Sequence, residues 1–423
     1  MRIFLLFMVF SFFSLLAYSQ SQCASAEYRM ELFKRSPAFA GKAASIESFT
    51  KKIINSHLQV TNDSAGSITG MPKIITIPVV VHILYNNAAQ NISDAQILSQ
   101  IDVLNKDYQR QNADSVNTPE VFKPVAADCE IRFALANVDP QGKTSSGIIR
   151  KYTSIQGFSI NDDMKSAASG GDDGWDPNQY LNIWVCNLVS GVLGYSSIPG
   201  GPTEKDGVVL QYSVFGTTGN VQAPFNKGRT ATHEIGHWLN LLHTWGDADC
   251  GDDHVADTPP QRAANRGCPD AIRITCGQGP NGDMYMNYMD FTNDACMNLF
   301  TTGQKERMRA LFAPGGVRNA MLSSNAVTAL ALHPSQGLVS DNNIHPTIQI
   351  FPNPTAGTVF IRTSALSTMA SQLDIFNELG QKMMSFQLDQ HMQQFDISRL
   401  KPGLYYIHFN DGKNQSVTKL IKN

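Results

Sequence analysis

The run Thr232-His233-Glu234-Ile235-Gly236-His237-Trp238-Leu239-Asn240-Leu241-Leu242-His243 holds the residues best suited to chemistry. On a helix, His233 and His237 stand about 40° apart on one face, so both imidazoles can bind a single ion. Glu234 is adjacent, placed to take a proton from an attacking water rather than to ligate. On an unbroken helix His243 would point about 80° away from His233 and lie about three turns along, out of reach. The helix is therefore expected to break, and Asn240 is the residue between them able to enter the left-handed region. The expected centre is a zinc ion on His233, His237 and His243, with Glu234 as general base of a hydrolysis. A buried amphipathic helix with satisfied histidines is the plain alternative. Three of only 10 histidines at this spacing, with Glu in the one useful slot, weigh against it.

A second element agrees independently. Asn287-Tyr288-Met289-Asp290 lies downstream of the third histidine and matches the tight Met-containing turn beneath the zinc in metzincins. Met289 would be a hydrophobic floor, not a ligand. Beyond the helix, Asp247, Asp249, Asp252, Asp253 and Asp257 gather hard oxygen donors, and Thr258 and the Val255 carbonyl extend the set to that of a structural calcium. Cys23 stands apart from the other cysteines. A thiolate is a good zinc ligand once the metal lowers its pKa, so Cys23 is expected to hold the zinc in a latent precursor.

The elements that position these groups follow from composition and periodicity. Met1-Arg2, the apolar run Ile3 to Ala17 and the small residues of Ala17-Tyr18-Ser19 read as a signal peptide over 1–19. No later run is long enough to span a membrane. Residues 20–70 read as a helical profragment ending in the Gly/Ser-rich Ser64 to Gly70. A catalytic domain is expected over 71–322. In it Ile75 to Tyr85 is a strand inside a sheet, and Ser93-Asp94-Ala95-Gln96 caps a helix carrying Ile97, Ile101, Leu104 and Tyr108. Glu130 to Val138 and Tyr180 to Leu188 are further strands, and Thr230 to Leu242 and Gln304 to Phe312 are helices. Residues 323–346 are polar and aperiodic, a linker. From 347 to 423 seven short alternating strands, separated by turns such as Asn353-Pro354 and Lys401-Pro402-Gly403, indicate a small β-sandwich.

Seven cysteines in an exported chain allow disulfides, and four of them crowd between Cys250 and Cys296 in a stretch with little periodicity, so two bridges are expected there. The 423 residues carry a net charge of −3, with 42% hydrophobic and 16% charged residues. That is an ordinary globular composition with no basic surface for nucleic acid or anionic lipid.

The chain resembles the pappalysin family of metzincin metalloproteases. The likeness runs from about Cys23 to Phe312 through IPVVVHILY (Ile77 to Tyr85), WDPNQYLNIWVCNL (Trp175 to Leu188), LGYSSIPG (Leu193 to Gly200), the zinc helix, DDHVADTPPQ (Asp252 to Gln261) and NYMDF (Asn287 to Phe291). The resemblance implies an α/β catalytic domain split by a cleft: a twisted mixed sheet with helices above, and an irregular disulfide-stapled half below. It also implies the bridges Cys250–Cys276 and Cys268–Cys296, a calcium on Asp252, Asp257 and Thr258, and a carboxylate after the Met-turn selecting Lys or Arg just after the scissile bond. Asp294 is the candidate, with Asp290 in reserve. The implied activity is that of a secreted zinc endopeptidase on protein or peptide substrates, made as a latent zymogen. Self-processing is then expected at Thr50-Lys51, Lys51-Lys52 or Pro72-Lys73. An inactive metzincin scaffold serving as a surface binding protein is the alternative.

Two positions depart from the family. Asn240 replaces the usual Gly, and Phe291 replaces a Tyr whose hydroxyl is thought to stabilise the transition state; Tyr288 and Tyr285 are the candidates to replace it. The C-terminal unit separately resembles the sorting domain of the type IX secretion system through FPNPTAG (Phe351 to Gly357), IFNELGQ (Ile375 to Gln381), LKPGLYYIHF (Leu400 to Phe409) and the final KLIKN. It implies the type IX machinery as partner and a destination in the medium or on the cell surface.

Overall fold

The computed structural model describes residues 23–60 and 71–327 apart from 278 and 280, and towards the C-terminus 348–351, 353, 355, 357–363, 371–377, 380–388, 392–410 and 415–423. The expected signal peptide at 1–19 and most of the expected linker at 323–346 lie outside these residues. The chain divides into two units, Met1–Leu135 with Gly147–Ser324, and Ala136–Ser146 with Asn325–Asn423.

The first unit opens with two helices, α1 (Ser25–Arg35) and α2 (Pro37–Val60). Ser36 is extended between them, as the residue before a proline must be. Strand β1 (Ile75–Tyr85) then enters the core with nearly every residue buried, which explains its unbroken apolar run. It pairs in parallel with β2 (Ile131–Leu135), β3 (Ile148–Tyr152) and β4 (Leu181–Cys186). Two more strands complete the sheet: β5 (Gly194–Ser196) and β6 (Val208–Gln211). Strand β6 runs parallel to β4, and β5 forms the antiparallel edge against β6. Helix α3 (Asp94–Tyr108) starts where Ser93 accepts the Gln96 amide, and it buries Ile97, Leu104 and Tyr108 in the main core. Burying a side chain of that size contributes about 1.5–3 kcal/mol.

Helix α4 (Arg229–Trp238) packs on α3 and on strands β5 and β6. Between it and α5 (Thr302–Ala310) there is no helix or strand among the described residues. That stretch is stapled by Cys250–Cys276 and Cys268–Cys296, while Cys129 and Cys186 are buried free thiols. Helix α5 begins in a capping box of Thr301 and Gln304.

Among its described residues the second unit contains seven strands. These are β7 (Ile348–Phe351), β8 (Thr358–Thr363), β9 (Ser371–Asn377), β10 (Lys382–Leu388), β11 (Met392–Asp396), β12 (Gly403–Asn410) and β13 (Gln415–Lys422). They form two antiparallel sheets, β10-β9-β12-β13 and β11-β8-β7, around Val359, Ile361, Leu373, Ile375, Phe395, Ile407 and Leu420. The period-two alternation is what lets each strand send one face inward.

Candidate active site

The zinc helix ends where the histidine spacing requires. Trp238 is its last residue, and Asn240 adopts φ 73°, in the left-handed region. The Leu241 amide donates to the Gly236 carbonyl at 2.9 Å and the Asn240 amide to the His237 carbonyl at 2.9 Å, the paired bonds of a Schellman ending. The chain turns there and brings His243 back under the helix. A methyl group on Gly236 would lie 2.4 Å from Met289 Sδ, so the Met-turn fits against the helix only because position 236 is glycine. Met289 is fully buried there.

The Nε2 atom of His237 lies 3.1 Å from that of His233 and 3.1 Å from that of His243. Four donors at zinc–nitrogen distances of about 2.0–2.1 Å around a tetrahedral ion stand about 3.3 Å apart, so the spacing fits zinc. Each opposite ring nitrogen is engaged. His233 Nδ1 donates to the Tyr288 carbonyl at 2.7 Å, His237 Nδ1 to the Leu241 carbonyl at 2.8 Å, and His243 Nδ1 to Asp247 Oδ1. This leaves Nε2 as the free, metal-facing nitrogen on all three rings. Burial and the neighbouring His243 push His233 down to about 3, and burial holds His237 well below the usual value, so both stay in the neutral form that ligates.

Cys23 brings a fourth potential donor to the three histidines. Its Sγ and the three histidine nitrogens lie within 4.8 Å of one another, all four residues buried. Burial, and then the Glu234 charge, raise the thiol well above its ordinary pKa, so its thiolate forms here only against a cation. Glu234 is completely buried, and its carboxyl is pushed up to about 8 by desolvation. Ser25 Oγ donates to Glu234 Oε2 at 2.7 Å, and Cys23 Sγ approaches the same oxygen at 3.4 Å. The residues leading into α1 and its first residue therefore stand against both the histidine cluster and Glu234.

A small open pocket lies beside these groups, with His233, Glu234, Thr230, Phe291, Arg229 and Asp294 in its wall. Asp294 Oδ2 accepts the backbone amides of Lys227 at 2.7 Å and Arg229 at 3.2 Å, and burial raises its carboxyl to about 6. Asp290 also borders the pocket, but both its oxygens are taken by Asn265, Gln261 and its neighbour's amide. Phe291 packs edge-on to Trp245 and His243, with ring centroids 4.9 Å apart in each case. Neither proposed substitute for its missing hydroxyl is at the site. Tyr288 turns its hydroxyl to Arg229 at 2.5 Å, and Tyr285 packs with Phe122, Met284 and Met286.

In the acidic loop the carboxylates have separate partners. Asp247 stands beside the histidine cluster, where it holds His243 Nδ1 and pairs with Arg29 of α1 at 2.8 Å. Asp252 is exposed and caps the His254 amide, whereas Asp257 accepts Thr301 Oγ1 and the Gly303 amide at the start of α5. Thr258 Oγ1 meets the buried Asp253 and the Val255 carbonyl at 2.8 Å. Asp252, Asp257 and Thr258 thus each have a hydrogen-bond partner of their own. Sequence reasoning missed Ser25 and Arg29 altogether, because nothing local marks a profragment serine or arginine as a partner of residues some two hundred positions away.

Residues 166–313 match the family described as pregnancy-associated plasma protein-A, a peptidase family, and residues 349–423 match the secretion system C-terminal sorting domain. An extracellular metalloprotease of Coccidioides posadasii is 31% identical over 261 residues, 59% of this chain and 81% of the relative. Tannerella forsythia mature mirolysin, solved with a cleaved peptide, is 51% identical with a TM-score of 0.59, covering 60% of this chain and 97% of that one. A variant of Tannerella forsythia promirolysin is 46% identical with a TM-score of 0.64, covering 71% of this chain and 97% of that one. The precursor thus matches more of this chain than the mature enzyme does.

Proposed function

The chain belongs to the pappalysin family of metzincins and is a secreted zinc endopeptidase with a type IX sorting domain, and from that premise we propose the division of labour among its residues. His233, His237 and His243 hold the zinc, which when bound supplies Lewis-acid polarisation of the scissile carbonyl and acidifies a water. Glu234 takes the proton of the attacking water and returns it to the leaving amine nitrogen. Met289 is the apolar floor. Cys23 closes the fourth position in the latent form, and Ser25 engages the base at the same time. The observation that carries this reading is the convergence of three Nε2 atoms, each with its Nδ1 proton already donated. Casein hydrolysis by the matured, zinc-loaded protein, lost in Glu234→Ala, tests it; an inert wild type would refute it.

The second part of the proposal is selectivity for Lys or Arg just after the scissile bond. Its support is Asp294: buried, in the pocket wall next to His233, with Oδ2 bonded to two amides. A carboxylate so placed favours a substrate cation over an apolar side chain. Asp290, with both oxygens satisfied, is the weaker candidate. New N-termini in a mixed peptide library should be enriched in Lys and Arg, and Asp294→Ala should erase the enrichment.

Of the candidate processing bonds, Thr50-Lys51 and Lys51-Lys52 lie inside α2, whereas Pro72-Lys73 lies in an exposed non-helical segment. We place self-processing at Pro72-Lys73, to be read by N-terminal sequencing of the matured enzyme. The structural calcium stays part of the proposal, on the loop of Asp252, Asp257 and Thr258. Its support is the density of oxygen donors and the buried Asp253, whose carboxyl burial raises to about 7. A melting temperature that falls on calcium-selective chelation and recovers with added calcium would bear this out.

A further inference from the structure

Edge strand β5 alternates its faces. Gly194 and Ser196 look towards the catalytic groups: a methyl on Gly194 would lie 2.9 Å from Glu234 Cγ, and the Ser196 amide donates to Ser25 Oγ at 2.8 Å. Tyr195, between them, points the other way into a cluster with Phe158, Met164 and Trp184. There the Tyr28 ring lies 5.2 Å from the Tyr195 ring, and Tyr28 Oη donates to Asp162 Oδ2 at 2.7 Å. Tyr195 Oη donates to Asp162 Oδ1 at 3.0 Å. Asp162 is a built acceptor: its side chain is 5% exposed, and its backbone is held at φ 67°, a conformation costly for a residue other than glycine. Lys165, wholly buried, pairs with Asp162 Oδ1 at 3.0 Å and faces the rings of Tyr28, Tyr195 and Trp184. An adjoining open pocket is bordered by Ile160, Pro202 and Lys205 on the catalytic side and by Glu31, Leu32 and Arg35 of α1.

Everything in this slot except Tyr28 belongs to the catalytic part of the chain. Tyr28 sits on the profragment, which reaches it by pairing Cys23 with Gly194 along the free edge of β5. A substrate strand added to the same edge also alternates its side chains, and the one beside Tyr195 falls on Tyr195's face. Given the endopeptidase reading above, we infer that the Tyr28 slot, formed by Asp162, Tyr195 and Trp184, is a substrate subsite of the mature enzyme that selects tyrosine. Flat aromatic walls take the ring, and the Asp162 oxygen released by Tyr28 accepts a hydrogen bond from the phenolic hydroxyl. A substrate cation is the poorer guest, because Asp162 already faces Lys165 at 3.0 Å and Lys205 at 3.7 Å. The slot therefore differs in chemistry from the acidic wall at Asp294.

The test uses the matured, zinc-loaded enzyme on paired peptides that differ only as Tyr or Phe, scanned across the positions around the scissile bond. At one position the Tyr member should be cleaved at least about tenfold better in kcat/KM, the value of a hydrogen bond to a charged acceptor. Asp162→Asn should reduce that ratio severalfold. Lys205→Ala, a change in a side chain 40% exposed, leaves the buried Asp162–Lys165 pair in place and should admit Lys or Arg at the same position about tenfold better than wild type. A preparation that hydrolyses casein but shows no Tyr-over-Phe ratio at any position overturns the subsite while leaving the endopeptidase reading intact. A full ratio in Asp162→Asn overturns it as well. If Asp162→Asn does not fold, exclusion of Lys and Arg that persists in Lys205→Ala decides against it.

Discussion

Phe291 and Asp294 are the residues at which this site should respond most clearly to single changes. The Phe291 ring packs against His233 and His243 and lines the pocket beside Glu234, so position 291 borders the space where attack takes place. With neither Tyr288 nor Tyr285 available, Phe291→Tyr is expected to raise kcat roughly tenfold or more with little change in KM, by analogy with oxyanion donors. Steady-state kinetics on one peptide substrate checks this. Asp294 carries a stability signature in addition to its proposed role in selectivity. Its folded carboxyl titrates near about 6 because burial penalises the charge, above the unfolded value of about 3.9. The folded state therefore binds that proton more tightly, so the contribution is most favourable at low pH and is lost as pH rises from about 4 to about 6. Asp294→Asn keeps an acceptor for the Lys227 and Arg229 amides without the charge. Its stability relative to wild type should climb across that window and level off above it, as read from urea midpoints at a series of pH values.

At the scale of elements, catalysis depends on where α4 stops. The left-handed residue at 240 ends the helix, and the stop brings His243 to within 3.1 Å of His237. Asn tolerates that conformation better than any other side chain, which is why a chain lacking the family's glycine still folds here. Asn240→Ala should cost about 1 kcal/mol and Asn240→Gly should be neutral or slightly stabilising. Thermal unfolding of the matured enzyme measures both, and zinc affinity should fall with Ala. The irregular stretch that follows has no ladder of its own, so its two disulfides and the buried carboxylates Asp253 and Asp290 do the positioning that secondary structure does elsewhere.

Across the whole molecule, the N-terminal helices hold the catalytic part latent through several contacts of different kinds. Cys23 sits with the zinc histidines, Ser25 engages Glu234, Arg29 pairs with Asp247, Tyr28 fills the Asp162 slot, and Glu47 pairs with Arg307. Loss of the metal ligand alone should therefore weaken latency without abolishing it. The Cys23→Ala precursor is expected to mature faster and to show measurable activity before cleavage, and Cys23→Ala with Ser25→Ala more so. A precursor that stays as silent and slow as wild type would remove the zinc switch from this account.

The clustering of the three histidines beside Glu234, the helix break, strands β1, β2 and β4 of the first unit and the seven of the second were legible in the sequence because each is written over a short span, whereas β3, β5 and β6, five, three and four residues long, carry too little pattern to mark themselves. Histidines four apart share a helix face, Asn stands out as a left-handed residue, and period-two alternation marks a strand with one buried face. The bridge pairing and the Met-turn came from likeness to a family whose pattern the chain repeats. Tertiary structure alone decided the rest. Asp247 read as one more member of an acidic loop, but folding sets it against His243 and Arg29. Ser25 on Glu234, Tyr28 on Asp162 and Asp294 on the amides of Lys227 and Arg229 join residues far apart in sequence. A side chain's type states what it can donate or accept, while its partner is chosen by the packing of distant segments, and no local pattern records that choice.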